Sequence, residues 1–236
     1  MSSAGRLARL TVLGLAAACS GAAGAGPTPA PAPSAERGVP GADDSAGLVP
    51  PGFGSLRLDD VSLQFTLPGG VLARAVPLDE NVIRLLSPDS YRALHEQVQG
   101  RAAQLREIAR RYGFDRYSVW RVTFYGTEQG EAHFSPQEVI VTNGGRDYRP
   151  LDVVPLTPGF GEQRLQQRGQ QSALYVFDGT LDVWQSQLVA TVQGVPNDAW
   201  GQPGGPLSRL DRERTLVRSR AAQRVPSKAT SVPARP

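Results

Sequence analysis

From Val61 to Leu67 the chain reads VSLQFTL, with Val61, Leu63 and Phe65 alternating against Ser62, Gln64 and Thr66. A period of two is the pattern of a strand with one face buried. Pro68-Gly69-Gly70 supplies turn chemistry and VLARAVPL follows, so a hairpin is expected. At Ser87 the period lengthens, and Tyr91, Leu94, Val98, Ala102, Leu105, Ile108, Ala109 and Tyr112 recur at three and four. The spacing predicts one amphipathic helix over 87–113, capped by Ser87, with Pro88 at its first position and Gly113 closing it. Gly100 lies inside that helix, at a cost of about 1 kcal/mol relative to alanine. Beyond it the period of two returns. SVWRVTFYG turns Trp120, Val122 and Phe124 inward against Arg121 and Thr123, and EVIVT runs into the hairpin signal Asn143-Gly144-Gly145. QSALYVF and QLVATVQG read as further strands. Short strands joined by Gly and Pro turns, with no helix between them, point to an antiparallel sandwich or barrel.

Upstream the periodicity vanishes. From Ser20 to about Gly54 the chain is rich in Ala, Gly, Pro and Ser, a composition that cannot offset its conformational entropy by burial and predicts a disordered tether. Ahead of it, Arg6 and Arg9 precede the uncharged stretch Leu10 to Ala18, too short to cross a bilayer. Such a stretch is the pattern of a secretory signal. Leu15-Ala16-Ala17-Ala18 stands directly before Cys19, the only cysteine, and resembles the lipobox of bacterial lipoproteins. The resemblance implies cleavage before Cys19, acylation there, and a membrane anchor on an exported protein. Each buried CH₂ of the acyl chains contributes roughly 0.8 kcal/mol to such an anchor. Ser20 stands where the family carries the aspartate that retains lipoproteins at the inner membrane, which in a host with two membranes implies outer-membrane sorting toward the periplasm. The alternative is ordinary cleavage at Ala23-Gly24-Ala25, which discards Cys19.

Charge changes the picture once the chain is divided. Residues 207–236 hold eight basic and two acidic groups, a net of +6, whereas residues 19–206 hold 15 basic and 20 acidic groups, a net of −5. The basicity belongs to the tail, so nucleic acid is not an expected partner of the whole protein. The tail segment LSRLDRERTLVRSRAAQR carries Leu207, Leu210, Val217 and Ala221 near helical spacing, with Arg209 and Glu213 set for an i, i+4 contact. One expectation is a solvated helix packed by its leucines. The other is that Arg209, Arg212, Arg214, Arg218, Arg220 and Arg224 contact lipid phosphates or an acidic envelope protein.

In residues 118–193 a strand, a polar loop, FSPQEVIVT, NGGRDYRPLDVVPL, SALYVF and QLVATV follow one another. This order is similar to the immunoglobulin-like modules of bacterial surface lipoproteins, including the telokin-like group. The resemblance implies architecture alone: a mainly β, immunoglobulin-like antiparallel sandwich, here with one inserted amphipathic helix and a C-terminal helix. The expected layout is a signal peptide over 1–18, a tether over 19–54, the sandwich over 55–200, and a basic helix and tail over 201–236.

No motif for catalysis emerges from the spacing. His95 sits on the helix beside Leu94 and reads as a boundary residue; Glu131 and His133 share one side of a strand, but a zinc site wants three or four ligands. Ser135 and Ser172 have no histidine partner in a recognisable motif, and Asp59-Asp60 and Asp79-Glu80 lie where carboxylates cap elements. No cofactor is expected. Candidate binding residues are Arg146, Asp147, Tyr148 and Arg149 beside a turn, Trp184 and Trp200 near turn residues, and Arg212, Arg214, Arg218 and Arg220 of the tail. Turn-flanking charge and core packing are the competing roles. The expected function is that of a membrane-anchored exported lipoprotein, non-enzymatic, presenting its sandwich for binding or envelope assembly. The alternative is a periplasmic or surface hydrolase whose site is assembled from distant residues. A pocket with three converging titratable groups would favour the enzyme, and a flat arginine or aromatic patch would favour binding.

Overall fold

The computed structural model describes residues 48–224. The signal, Cys19, most of the tether and residues 225–236 lie outside the described residues. The alternating stretch forms β1 (Leu63–Leu67), joined to β2 (Val71–Pro77) through Gly69 and Gly70, whose φ values of 73° and 71° favour glycine. After the helices come β3 (Tyr117–Gly126), β4 (Glu131–His133), β5 (Val139–Asn143), β6 (Arg146–Tyr148) and β7 (Asp152–Pro155). Then follow β8 (Arg164–Gln166), β9 (Gln170–Asp178), β10 (Val189–Val192) and β11 (Val195–Asn197). These pair antiparallel into a five-stranded sheet β1-β2-β3-β9-β7, a four-stranded sheet β11-β10-β5-β6 and a ribbon β4-β8. The fold is mainly β and sandwich-like, with a C-terminal helix, as the hydrophobic periods predict.

Both sheets contribute to one core, which holds Val139, Val141, Ala190 and Val192 together with Phe65, Trp120 and Tyr175. On the inner face of the larger sheet β2 presents Ala73 and Ala75 beside Phe124 and Val122 of β3, so small side chains lie next to large ones. Trp120 meets Phe177 edge-on at 6.4 Å and Trp200 at 6.1 Å. Farther along β3, Phe124 stacks on Phe134 at 4.4 Å, and Phe160 closes the group 5.4 Å from Phe134. Two buried polar tips reach carbonyls across the core: Tyr175 donates to Pro136 O and Trp200 Nε1 to Val183 O, each at 2.8 Å. Thr123, expected on the solvent side of β3, is buried. β3 is the central strand of the larger sheet, with β2 and β9 paired to either edge.

The single helix expected over 87–113 is two helices. A short α1 (Glu80–Ile83) comes first, then α2 (Pro88–Gln99) and α3 (Ala102–Arg111). The break falls at Gly100 and Arg101, the latter at φ −117°, ψ 6°. Glycine is the residue that least resists leaving a helix, and the change of direction lets Leu94 of α2 and Leu105, Ile108 and Ala109 of α3 all become buried. Tyr112, past the end of α3, is half exposed instead of joining that stripe. Gly113 adopts the left-handed conformation expected of it, at φ 77°. The Ser87 hydroxyl pairs with Ser90 Oγ at 2.9 Å and makes no side-chain cap. α3 lies against β3 and β9.

The core runs past the expected limits of 55 and 200. Val49 enters it from the N-terminal side, and α4 (Pro206–Arg224) contributes Leu207, Leu210 and Val217. α4 also holds the start of the described chain. Ser55 N and Oγ donate to Glu213 Oε1, both at 2.8 Å; Arg220 Nη1 donates to the same oxygen at 2.6 Å and to Phe53 O at 2.8 Å. Arg209 turns away from Glu213, its expected i, i+4 partner, to reach Asp60 at 3.2 Å.

Trp120→Ala should destabilise the fold by about 3–5 kcal/mol, through cavity formation and lost packing. Its Nε1 makes no hydrogen bond that the substitution would break. Glu213→Ala should cost less, about 1–2 kcal/mol, because Ser55 and Arg220 can regain water. Chemical denaturation of both variants measures these losses, and a loss under about 1 kcal/mol for Trp120→Ala would contradict its core position.

Candidate functional site

The sequence candidates scatter over several places. At the β5–β6 corner, Gly144 and Gly145 form the tight turn at positive φ. Arg146 Nη2 there pairs with Asp178 at 2.9 Å, and its guanidinium lies 4.7 Å over the ring of Tyr148. Tyr148 is buried, Asp147 accepts from Thr142 Oγ1 at 2.7 Å, and Arg149 is exposed. Arg146, Tyr148 and Asp178 thus form a closed network with Thr180, and of the four turn residues Arg149 is exposed with no partner among the described residues.

Trp200 is fully buried and therefore serves the core rather than a surface. Trp184 is half-buried, with the Arg214 guanidinium 5.0 Å above its ring. Among the tail arginines Arg220 is committed to Glu213 and Phe53, whereas Arg212 and Arg218 are exposed on α4. The side chain of Arg224 lies outside the described residues.

The carboxylate pairs do cap and brace elements. Asp79 accepts from Asn81 N at 2.8 Å and caps α1, while Asp60 accepts from Arg57 N at 2.8 Å at the start of the 3₁₀ turn Leu58–Val61. Glu80 Oε1 meets His95 Nδ1 at 2.5 Å, and Glu80 Oε2 accepts from Arg84 Nε at 2.8 Å. Tyr91 lies 3.5 Å from the same imidazole nitrogen. Burial first, and the charge of Glu80 next, raise the Tyr91 phenol above its ordinary pKa. This cluster ties α1 to α2, with His95 Nδ1 and both Glu80 oxygens engaged. Glu131 and His133 sit on the exposed β4–β8 ribbon, 3.5 Å apart. Among the described residues no group of three or more His, Cys, Asp or Glu side chains is arranged to hold a metal ion. β8 is flanked by Gln163 and Arg168, both left-handed at φ 56° and 60°, and lines a shallow cleft with Glu131, Glu162, Gln170 and Gln171.

A different group comes together on the outer face of the five-stranded sheet. Gln64, Arg74, Thr123 and Ser172 are direct cross-strand neighbours on β1, β2, β3 and β9, and form one polar row. Arg121 and Tyr125, two positions either side of Thr123 on β3, share that face and are diagonal neighbours of Arg74. Arg74 Nη1 pairs with Asp59 at 2.8 Å, and its guanidinium lies 5.8 Å from the Tyr125 ring centroid. Its Nε is buried and has no hydrogen-bond partner. Arg121 is largely buried too. Desolvation lowers its pKa from the ordinary value, and Arg74 beside it acts in the same direction, partly opposed by Tyr125. α3 covers the other end of this face, where Val76, Val119 and Val176 are buried and Arg106 lies near Tyr117. Arg121 stands between Val76 and Leu174, both buried, in its own cross-strand row, and Tyr125 is half-buried.

No family model, curated protein or solved structure matches this chain. The site therefore stands on its own geometry. Sequence reasoning treated Arg121 as one solvated outward position of an alternating strand. The available signal was that Arg74 and Arg121 both fall on outward positions of adjacent predicted strands, but only the register makes them neighbours.

Asp79 offers a check on burial near α1. Burial raises its carboxyl above the ordinary range, against hydrogen bonds from Asn81 that lower it. The folded state therefore holds this proton more tightly than the unfolded chain. The stabilisation is complete below the unfolded pKa, about 3.9, and is lost as pH rises through the folded value. Asp79→Asn keeps an acceptor for the cap and should raise Tm at neutral pH, with the difference closing in acid. Thermal melts across the acid range test this, and a lower Tm for the variant at neutral pH would contradict it.

Proposed function

We propose that this chain is an exported lipoprotein, acylated on Cys19, that presents its sandwich at the cell envelope as a non-enzymatic binding module. The anchor is supported by the sole cysteine at the end of the apolar stretch 10–18 and by the Ala-, Gly-, Pro- and Ser-rich segment after it. The binding role is carried by one observation: the outer sheet face holds two neighbouring arginines, one of them largely buried with no acidic partner among the described residues. Burying a charge without a partner is costly, and a fold that retains one gains stability when an anionic group arrives. Exposed Arg212 and Arg218 on α4 add positive charge that suits an anionic surface or an acidic envelope protein. In a host with two membranes, sorting is to the outer membrane, facing the periplasm, on the strength of Ser20.

The anchor is tested by the intact mass of the protein from the membrane fraction of its native host. A mature chain starting at Cys19 with added acyl groups is expected, and Cys19→Ser should move the protein to the soluble fraction. A soluble mature form starting at Gly26 would overturn the proposal.

A further inference from the structure

We infer that the outer-face patch of Arg74, Arg121, Thr123, Tyr125 and Ser172 is a binding site for an oxyanion, a phosphate or carboxylate group. The inference rests on the binding reading above and gives that site its ligand class. Each guanidinium presents a planar fork of donors that matches two oxygens of one anion. Arg74 spends Nη1 on Asp59 and leaves a buried Nε–H with no acceptor. A buried donor without an acceptor is a rare feature of folded proteins and calls for an explanation such as a ligand. Arg121 has no ion pair or hydrogen bond among the described residues, and the charge that acts on it from the neighbouring strand is another guanidinium. Two like charges side by side at a half-buried surface repel each other, and one anion between them removes the repulsion.

The surroundings fit the same ligand. Thr123 lies directly between Arg74 and Ser172 in the cross-strand row, so two hydroxyls stand beside the guanidiniums. Tyr125 lies next to both arginines, and its hydroxyl supplies a further donor to an anion. The backbone beneath is the central strand of the sheet, paired on both sides. Asp59, the one carboxylate paired with the patch, is well exposed and sits on the 3₁₀ turn Leu58–Val61 at its edge.

Inorganic phosphate and acetate are the probes. The purified chain is melted at neutral pH in increasing amounts of each, with ionic strength held constant by chloride. Phosphate or acetate should raise Tm in a saturable way by binding the folded state, and the probe with the lower midpoint identifies the preferred group. Arg121→Gln should weaken that midpoint by about tenfold or more, the effect of losing a charged hydrogen-bond partner. Without either probe this variant should be at least as stable as the unsubstituted chain, since it removes an unpartnered charge. Arg92→Gln, on the exposed side of α2, should respond like the unsubstituted chain. The Nε–H resonances of Arg74 and Arg121 should move with the same midpoint. No saturable response, or an equal response in Arg121→Gln, would overturn the inference, as would a marked loss of stability in that variant without the probes. The outcome is independent of whether Cys19 is acylated, so failure of the anchor and failure of the site are separable.

Discussion

Trp120 on the inner face of β3 is the contact on which the rest of the fold depends. β3 is paired on both edges and its inner face is packed in the core, so its inward side chains must be accommodated by fixed neighbours. The bulk of Trp120, Phe124 and their aromatic neighbours is matched by Ala73 and Ala75 on β2 and by Ala173 on β9. Trp200, far along the chain, must return to meet Trp120, and the loop that brings it is pinned by its indole hydrogen bond to Val183. Packing at native density leaves little room for another arrangement.

The same strand sets up the chemistry on its other side. A central strand with period two sends every second residue to the outer face, where α3 packs at one end. Arg121 and Tyr125 fall on that face, and the register with β2 delivers Arg74 between them. Thr123 is buried in the same row. Stability on one face and unsatisfied positive charge on the other thus share one backbone.

α4 joins the two chain ends of the described structure. Its apolar stripe continues the core, and Glu213 and Arg220 hold the segment Phe53–Ser55 on the same helix. Any pull on residues upstream of Phe53 is therefore passed to a buried carboxylate and a packed helix. The arginines that face outward, Arg212 and Arg218, are what the helix has left after this task.

The sequence by itself determined the hairpin at 61–77, the central alternation of Trp120, Val122 and Phe124, the turn at Gly144 and Gly145, and a C-terminal helix packed by Leu207, Leu210 and Val217. Each of these is a local pattern whose period or turn chemistry has one structural outcome. The tertiary structure decided what depends on residues distant in the chain. The break at Gly100 follows from two apolar faces that must both reach the core, which no single straight helix provides. Arg209 pairs with Asp60, far back in the chain, and Glu213 pairs with Arg220 and Ser55 instead, so the expected i, i+4 contact does not form. Trp200 and Tyr148 became core residues because distant strands close over them. The outer-face patch was beyond reach of the sequence for the same reason: Arg74 and Arg121 are neighbours only through the register of β2 on β3. A shift of one residue would send one of them to the opposite face.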